Sequence, residues 1–99
     1  MDWITFVKKE NVSKAEKAVK GDLSTASRQS ITIKDAKSLD INKDGSFFLI
    51  SGSDEGVEEA KELMKDFVED AKEEELNKAK EKIKEEEDKA AEGFGGIFG

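Results

Sequence analysis

The chain contains no histidine, no cysteine, no proline and no tyrosine. Without cysteine it can form no disulfide, no zinc–thiolate site and no cysteine nucleophile. Without histidine it lacks the commonest general base and metal ligand. Most hydrolase and metalloenzyme mechanisms therefore lose their usual groups, and we expect a protein that is not an enzyme.

Long apolar runs are also missing. The longest run is Phe47-Phe48-Leu49-Ile50, far shorter than the roughly 20 residues of a membrane-spanning helix. The first residues, 1–9, carry an early acid and no long apolar core, so they do not resemble a signal peptide. We expect a soluble, cytoplasmic protein without membrane contacts.

Charge, in contrast, is abundant. Charged residues make up 41% of the chain, with 17 basic and 24 acidic side chains and a net charge of −7. Residues 1–43 hold nine basic and six acidic residues, and residues 44–99 hold eight and eighteen, so the two parts carry +3 and −10. The chain lacks the basic footprint of a general nucleic-acid binder, and the acidic half favours cations as ligands.

Hydrophobic alternation predicts the strands of a small sheet. We expect strands at 2–7, 29–34 and 46–51, because apolar residues there recur with the period of a strand. Residues 39–41 could add a short strand, and residues 22–28 are predicted as a polar loop.

Helical spacing predicts two helices. The first is short, with Ser13 and Glu16 at the spacing of a capping box and Gly21 as its stop. The main helix follows Ser53, its predicted cap, and its apolar residues recur as far as Ala71. The predicted fold is α+β: a small, mainly antiparallel sheet, one short helix and one long C-terminal helix, with the helices packed on one face.

The apolar stripe fails after Ala71. Residues 1–71 are therefore predicted to form a single α+β domain. Residues 72–92 are predicted as a charged arm exposed to solvent, with helical content but no burial, and residues 93–99 as a flexible Gly/Phe tail. Such an arm could carry a contact for a protein partner.

The segment that begins at Asp40 carries the clearest chemistry. It reads D-x-N-x-D-G and resembles the first half of an EF-hand calcium loop. Asp40, Asn42 and Asp44 occupy alternating ligand positions, Gly45 stands where the loop turns sharply, and Ser46 stands where a backbone carbonyl binds the ion. The resemblance implies a calcium site at this turn.

The loop departs from the EF-hand pattern in its second half. Ser51 stands at the position of the bidentate glutamate, and the flanks are predicted strands rather than helices. Outside ligands must complete the shell, and the candidates are Asp35, Asp54 and Glu55, because the strand ends and the helix start are expected to converge. We expect weak affinity, with Kd on the order of 10⁻⁴–10⁻³ M.

A plain turn explains the same residues. Asp44-Gly45 between two apolar strands is a hairpin signal, typical of a type I′ turn with positive φ at both central residues. Asn42 also favours turns without any metal. The two interpretations are compatible, since a hairpin turn can bind calcium.

Two family resemblances bear on function. Residues 48–63 resemble the last strand and helix of KH-type RNA-binding modules, but the internal GxxG clamp of those modules is missing and the helix is acidic. The whole chain is similar to small acidic proteins of methanogenic archaea, one of which is described as calcium-binding with an α+β fold. That resemblance implies calcium binding and no known catalytic activity.

The leading hypothesis is a non-enzymatic calcium-binding protein with a weak site at the turn. The alternative is a protein-interaction subunit that uses the acidic helix and the tail residues Phe94, Ile97 and Phe98. An RNA-binding module is a distant third.

Overall fold

The computed structural model describes residues 1–21 and 29–98, with side chains described as far as Glu87. Its strands and helices are β1 (Asp2–Lys8), α1 (Val12–Lys20), β2 (Ser30–Asp35), β3 (Gly45–Ser51), α2 (Asp54–Met64), β4 (Val68–Glu69) and α3 (Glu73–Phe98). Short 3-10 helices, Lys9–Asn11 and Ala36–Leu39, precede α1 and follow β2. The strands form one antiparallel sheet in the order β2-β3-β1-β4, which confirms the α+β prediction.

Strand β3 is central because its sequence is apolar on both faces. Residues 45–50 are all buried, and the strand pairs with β1 on one side and with β2 on the other. The register sets Lys8 opposite Gly45 and Asp35 opposite Ser46. The segment that precedes β3 therefore lies at the end of the sheet where β1 and β2 both finish.

The helices cover both faces of the sheet, so the prediction that they pack on one face is wrong. Phe48 and Ile50 point to the face covered by α1 and α2, and Phe47 and Leu49 point to the face covered by α3 and by the 3-10 helix Ala36–Leu39. The physical reason is the strand sequence itself. Since β1 and β3 carry large apolar residues on both sides, each side needs a covering layer.

The C-terminal half departs from the predicted single long helix. Helix α2 ends at Met64, and the chain then returns to the sheet, where Val68 pairs with Val7 at its edge. Phe67 and Val68 still pack against the core face of α1 and α2. Apolar residues at helical spacing were compatible with a continued helix, but pairing with β1 places them on the same core.

Helix α3 is not an exposed arm. Ala79 and Ile83 are fully buried against the sheet, and Leu76 packs beside them, so the expected lack of burial over 72–92 is wrong. This sparse stripe suffices because Phe47 and Leu49 face it. The backbone of α3 stays helical as far as Phe98, over most of the predicted tail 93–99, and Gly99 lies outside the described residues.

Of the predicted helix caps and ends, some are confirmed and one is wrong. Ser53 caps α2, since its hydroxyl accepts a hydrogen bond from the Gly56 amide at 3.1 Å. Helix α1 instead begins after Asn11 without a side-chain cap, so the Ser13 capping box is not formed. The helix ends before Gly21 as predicted.

Residues 39–41 form no strand, because Leu39 ends a 3-10 helix. The predicted loop 22–28 lies outside the described residues. In the described part of the chain, no helix is both long and apolar enough to cross a membrane.

Candidate functional site

The D-x-N-x-D-G segment is not a tight hairpin. Between β2 and β3 the chain passes through the 3-10 helix Ala36–Leu39 and then the irregular stretch 40–44. Asp40 takes the left-handed conformation, with φ 60° and ψ 33°, and no other described non-glycine residue has positive φ. Gly45 belongs to β3 and does not have positive φ, so the type I′ interpretation is wrong.

Gly45 is required by packing rather than by backbone conformation. A Cβ atom at this position would overlap the backbone carbonyl of Val7 and the ring of Phe6. The lack of a side chain lets β1 and β3 approach closely at the point where the turn enters the sheet. The glycine thus fixes where the turn segment sits on the end of the sheet.

The structure separates the seven predicted metal ligands into three places. Asp40 and Asn42 line a shallow depression of about 260 Å³, which we call the turn hollow, together with Ile41, Glu74, Glu75 and Lys78. Asp35, Asp44 and Ser46 line a larger cavity beside α1. Asp54 and Glu55 begin α2, beyond the opposite end of β3.

The expected convergence of Asp54 and Glu55 with the turn is therefore wrong. Strand β3 has seven residues, and at roughly 3.3 Å per residue its two ends lie about 20 Å apart. Across the residues that the structure describes, no group of three or more acidic side chains is arranged to hold a metal ion. Only the two partial groupings, at the turn hollow and beside α1, bring predicted ligands together.

Lysine ammonium groups already lie against the motif. Lys82 Nζ is 2.6 Å from Oδ2 of Asp40, and Lys78 Nζ donates to the Asp40 carbonyl oxygen at 3.0 Å. The hydrogen bond from Lys82, with its charge, lowers the pKa of Asp40 below its ordinary value. Lys37 pairs with Asp44 at 3.1 Å. Lysine ammonium groups thus already contact the carboxylate oxygens that a metal ion would need.

Glu74 and Glu75 are the site residues that the sequence did not indicate. They reach the turn because α3 docks against the sheet. Glu75 accepts from Lys43 at 3.2 Å and from the Lys72 amide at 3.2 Å, and the contact with Lys43 is the main cause of its lowered pKa. No local pattern signals this contact, since it depends on a helix that the sequence predicts as exposed.

The second grouping surrounds a cavity of about 630 Å³, which we call the α1 cavity. It lies between the start of α1 and the sheet end formed by β2 and β3. It is lined by Lys9, Val12, Ser13, Glu16, Lys17, Asp35, Lys37, Asp44, Gly45 and Ser46. Three of these residues are lysines and three are acids, so the lining is formally neutral within an acidic protein.

Comparison with known proteins returns no relative. No family model, no curated protein and no solved structure matches the chain. Function is therefore inferred from the geometry of the turn hollow and the α1 cavity.

Proposed function

We propose that the protein is a non-enzymatic, weak divalent-cation binder, with calcium as the ion and the turn hollow as its site. The observation that carries the proposal is that Asp40 and Asn42 share this hollow with Glu74 and Glu75. Two elements far apart in the sequence thus line the same depression with three carboxylates and one amide. These groups are not gathered around one point in the described residues, so an ion would have to draw them together.

The donor set suits a hard cation. Calcium takes six to eight oxygen ligands, including carboxylates, amide oxygens and backbone carbonyls. The hollow offers the four side chains, and the Asp40 carbonyl is already directed to a cation, since it accepts from Lys78. Water would supply the remaining ligands. This set replaces Asp35, Asp44, Ser46, Asp54 and Glu55 of the sequence-based prediction.

Calcium must displace lysines from the hollow. Ion pairs between exposed side chains contribute only about 0–1 kcal/mol, and the Asp40 side chain that Lys82 contacts is 77% exposed. A divalent ion can therefore compete for the same oxygens. The competition keeps the affinity low, with Kd on the order of 10⁻⁴–10⁻³ M as for weakly enclosed sites.

A calcium titration of the full chain followed by backbone amide NMR tests the proposal, with magnesium and sodium chloride as parallel titrations. We expect saturable calcium shifts at 40–43 and 73–78. Asp40→Asn and Glu75→Gln should weaken binding, whereas Glu55→Gln, at the far end of the sheet, should leave it unchanged. Small shifts that do not saturate and that sodium chloride reproduces would count against any site.

The similarity to small acidic archaeal calcium-binding proteins, the cytoplasmic location and the absence of nucleic-acid partners stay predictions alongside this proposal. Each agrees with an acidic protein that binds calcium, and none is needed for the titration above.

A protein-interaction role is the second proposal, and the length of α3 supports it. Its last described contacts with the sheet are made by Glu86 to Lys34 and by Glu87 to Thr32. The helix continues to Phe98, so its final turns extend past those contacts. The exposed face of α2, where Leu63 is 37% exposed among acidic residues, offers a second contact surface.

A photo-crosslinking amino acid at position 97 of the full chain, expressed in cells, tests this second role. We expect one discrete adduct that the Phe94→Ala variant loses. A ladder of unspecific adducts, or none, would count against it. A crosslinker at position 20, on α1, serves as the control position.

A further inference from the structure

The α1 cavity has no part in the functions proposed above. Its volume of about 630 Å³ falls within the range of roughly 300–1,000 Å³ that is usual for small-molecule sites. Its residues come from α1, from the 3-10 helices and from the ends of β2 and β3, so several elements hold the lining in place.

Two cationic groups on the lining are free. Lys37 is engaged by Asp44. The ammonium groups of Lys9 and Lys17 make no ion pair or hydrogen bond within the described part of the chain, although the Lys9 backbone amide donates to the Asp44 carbonyl oxygen. The start of α1 also lines the cavity through Val12 and Ser13. Helix α1 continues the 3-10 helix Lys9–Asn11, and the Val12 amide donates to the Lys9 carbonyl oxygen, so the cationic side chains rather than the helix start are the groups open to an anion.

Ser46 gives an independent indication of a ligand. It is 9% exposed, lies on the α1 side of β3 and lines the cavity. Its hydroxyl has no hydrogen-bond partner among the described residues. Because no fully enclosed polar side-chain atom there lacks a partner, this hydroxyl opens onto the cavity. A nearly buried hydroxyl without a partner is unfavourable unless a ligand or water completes it.

Asp35 restricts the chemistry of that ligand. Its carboxylate lines the same cavity and forms no ion pair in the residues described. A simple anion that approached Lys9 and Lys17 would also meet this negative charge. A ligand that carries an amine as well as an anionic group would satisfy both kinds of free group at once.

We propose that the α1 cavity binds a small zwitterion. Its anionic group, a phosphate or a carboxylate, is held by Lys9, Lys17 and the Ser46 hydroxyl. Its amine pairs with Asp35. This site shares no lining residue with the turn hollow. A failure of calcium binding at the turn hollow would therefore leave the zwitterion proposal intact, and the reverse also holds.

Amide NMR titrations of the full chain at pH 7 test the proposal, at matched ionic strength. The probes are O-phosphoethanolamine, inorganic phosphate, ethanolamine and β-alanine. We expect saturable shifts at 12–17 and 45–46 with O-phosphoethanolamine, and weaker binding of phosphate or ethanolamine alone. Comparison of O-phosphoethanolamine with β-alanine shows which anionic group the cavity prefers.

Matched variants identify the binding groups. Ser46→Ala and Lys17→Met should each weaken binding of O-phosphoethanolamine by roughly tenfold to a hundredfold, as expected for one hydrogen bond to a charged group. Asp35→Asn should remove the preference over inorganic phosphate. Lys61→Met, on α2 outside the cavity, should change nothing, and an unchanged amide spectrum shows that each variant is folded.

Three results would overturn the proposal. One is the absence of saturable shifts with any probe. Another is binding of O-phosphoethanolamine that Ser46→Ala and Lys17→Met leave intact, since that would mark general surface attraction. The third is saturable binding of calcium at Asp35 and Asp44, which would make the cavity a metal site.

Discussion

Lys84 on α3 donates a hydrogen bond of 2.7 Å from its Nζ to Oδ2 of Asp2 on β1. Lys80, one turn earlier, lies 3.8 Å from the same oxygen. The hydrogen bond from Lys84, with a second from Ser51, lowers the pKa of Asp2 to about 2 from its ordinary value of 3.8. The contact thus joins α3, in the C-terminal part of the chain, to the first strand of the sheet.

The Asp2–Lys84 contact leads to a prediction of how stability depends on pH. Because the pKa of Asp2 is lower in the folded state, its stabilising contribution is present above about pH 4 and is lost as the pH falls toward 2. Asp2→Asn should therefore reduce the free energy of unfolding at pH 7 and make little difference at pH 2. Urea unfolding at a series of pH values measures this. A gap that stays constant over the series would show that the pair is not responsible, and Asp70→Asn is the exposed control.

A second prediction concerns Ile83. The side chain is fully buried on the α3 face of the sheet, so Ile83→Ala should destabilise the protein by about 2–5 kcal/mol. Leu63→Ala is the comparison, because Leu63 is 37% exposed on α2 and should cost much less. Chemical denaturation of the two variants distinguishes a docked α3 from an exposed arm, for which both values would be small.

The three long strands β1, β2 and β3 were predictable from sequence, and the position of α3 was not. Local alternation such as that of Ile31 and Ile33 depends only on neighbouring residues. Whether Ala79 and Ile83 are buried depends instead on the second apolar face of β3. The local sequence of α3 carries no information about that face. Val68 illustrates the same effect, since helical spacing and pairing with Val7 are both compatible with its sequence context, and tertiary pairing decides.

Truncation gives a third prediction. A chain that ends at residue 71 loses the side chains that cover Phe47 and Leu49, so we expect it to unfold or aggregate. A chain that ends at Glu87 retains every described contact of α3 and should keep its amide spectrum over 1–80. A folded, dispersed spectrum for the 1–71 chain would instead support the division of the protein at that point.

Gly45 supplies a fourth prediction, measured without calcium. If the glycine served a type I′ turn, Asn would be a tolerated replacement, since it accepts positive φ. Here any Cβ meets the Val7 carbonyl and the Phe6 ring, so Gly45→Asn and Gly45→Ala should both destabilise by about 1–3 kcal/mol, the usual range for overpacking. Asn42→Ala, at an exposed position, is the control, and a neutral Gly45→Asn would restore the turn interpretation.

The candidate site was predictable only in part for the same physical reason. Asp40 and Asn42 are found from their local spacing, which the D-x-N-x-D-G motif describes. Glu74 and Glu75 join them through a helix that docks from the other half of the chain. Asp54 and Glu55 were expected there because they adjoin a strand end, but they adjoin the opposite end of β3.

The last prediction concerns Lys82, whose ammonium group donates a hydrogen bond to the Asp40 carboxylate in the absence of metal. Lys82→Met removes the ammonium group that competes with a cation, so the variant should bind calcium more tightly than the wild type. The same change should raise the pKa of Asp40 toward its ordinary value, because the hydrogen bond from Lys82 is the main cause of its lowering. Amide NMR gives the calcium affinity, and a carboxyl-detected pH titration gives the pKa. Lys65→Met, which removes an ion pair on α2, controls for the general loss of one positive charge. The Asp40 pKa could instead rise while the calcium affinity stays unchanged. That result would show that Lys82 contacts Asp40 but that calcium does not compete with Lys82 for the carboxylate. It would count against the turn hollow as the calcium site.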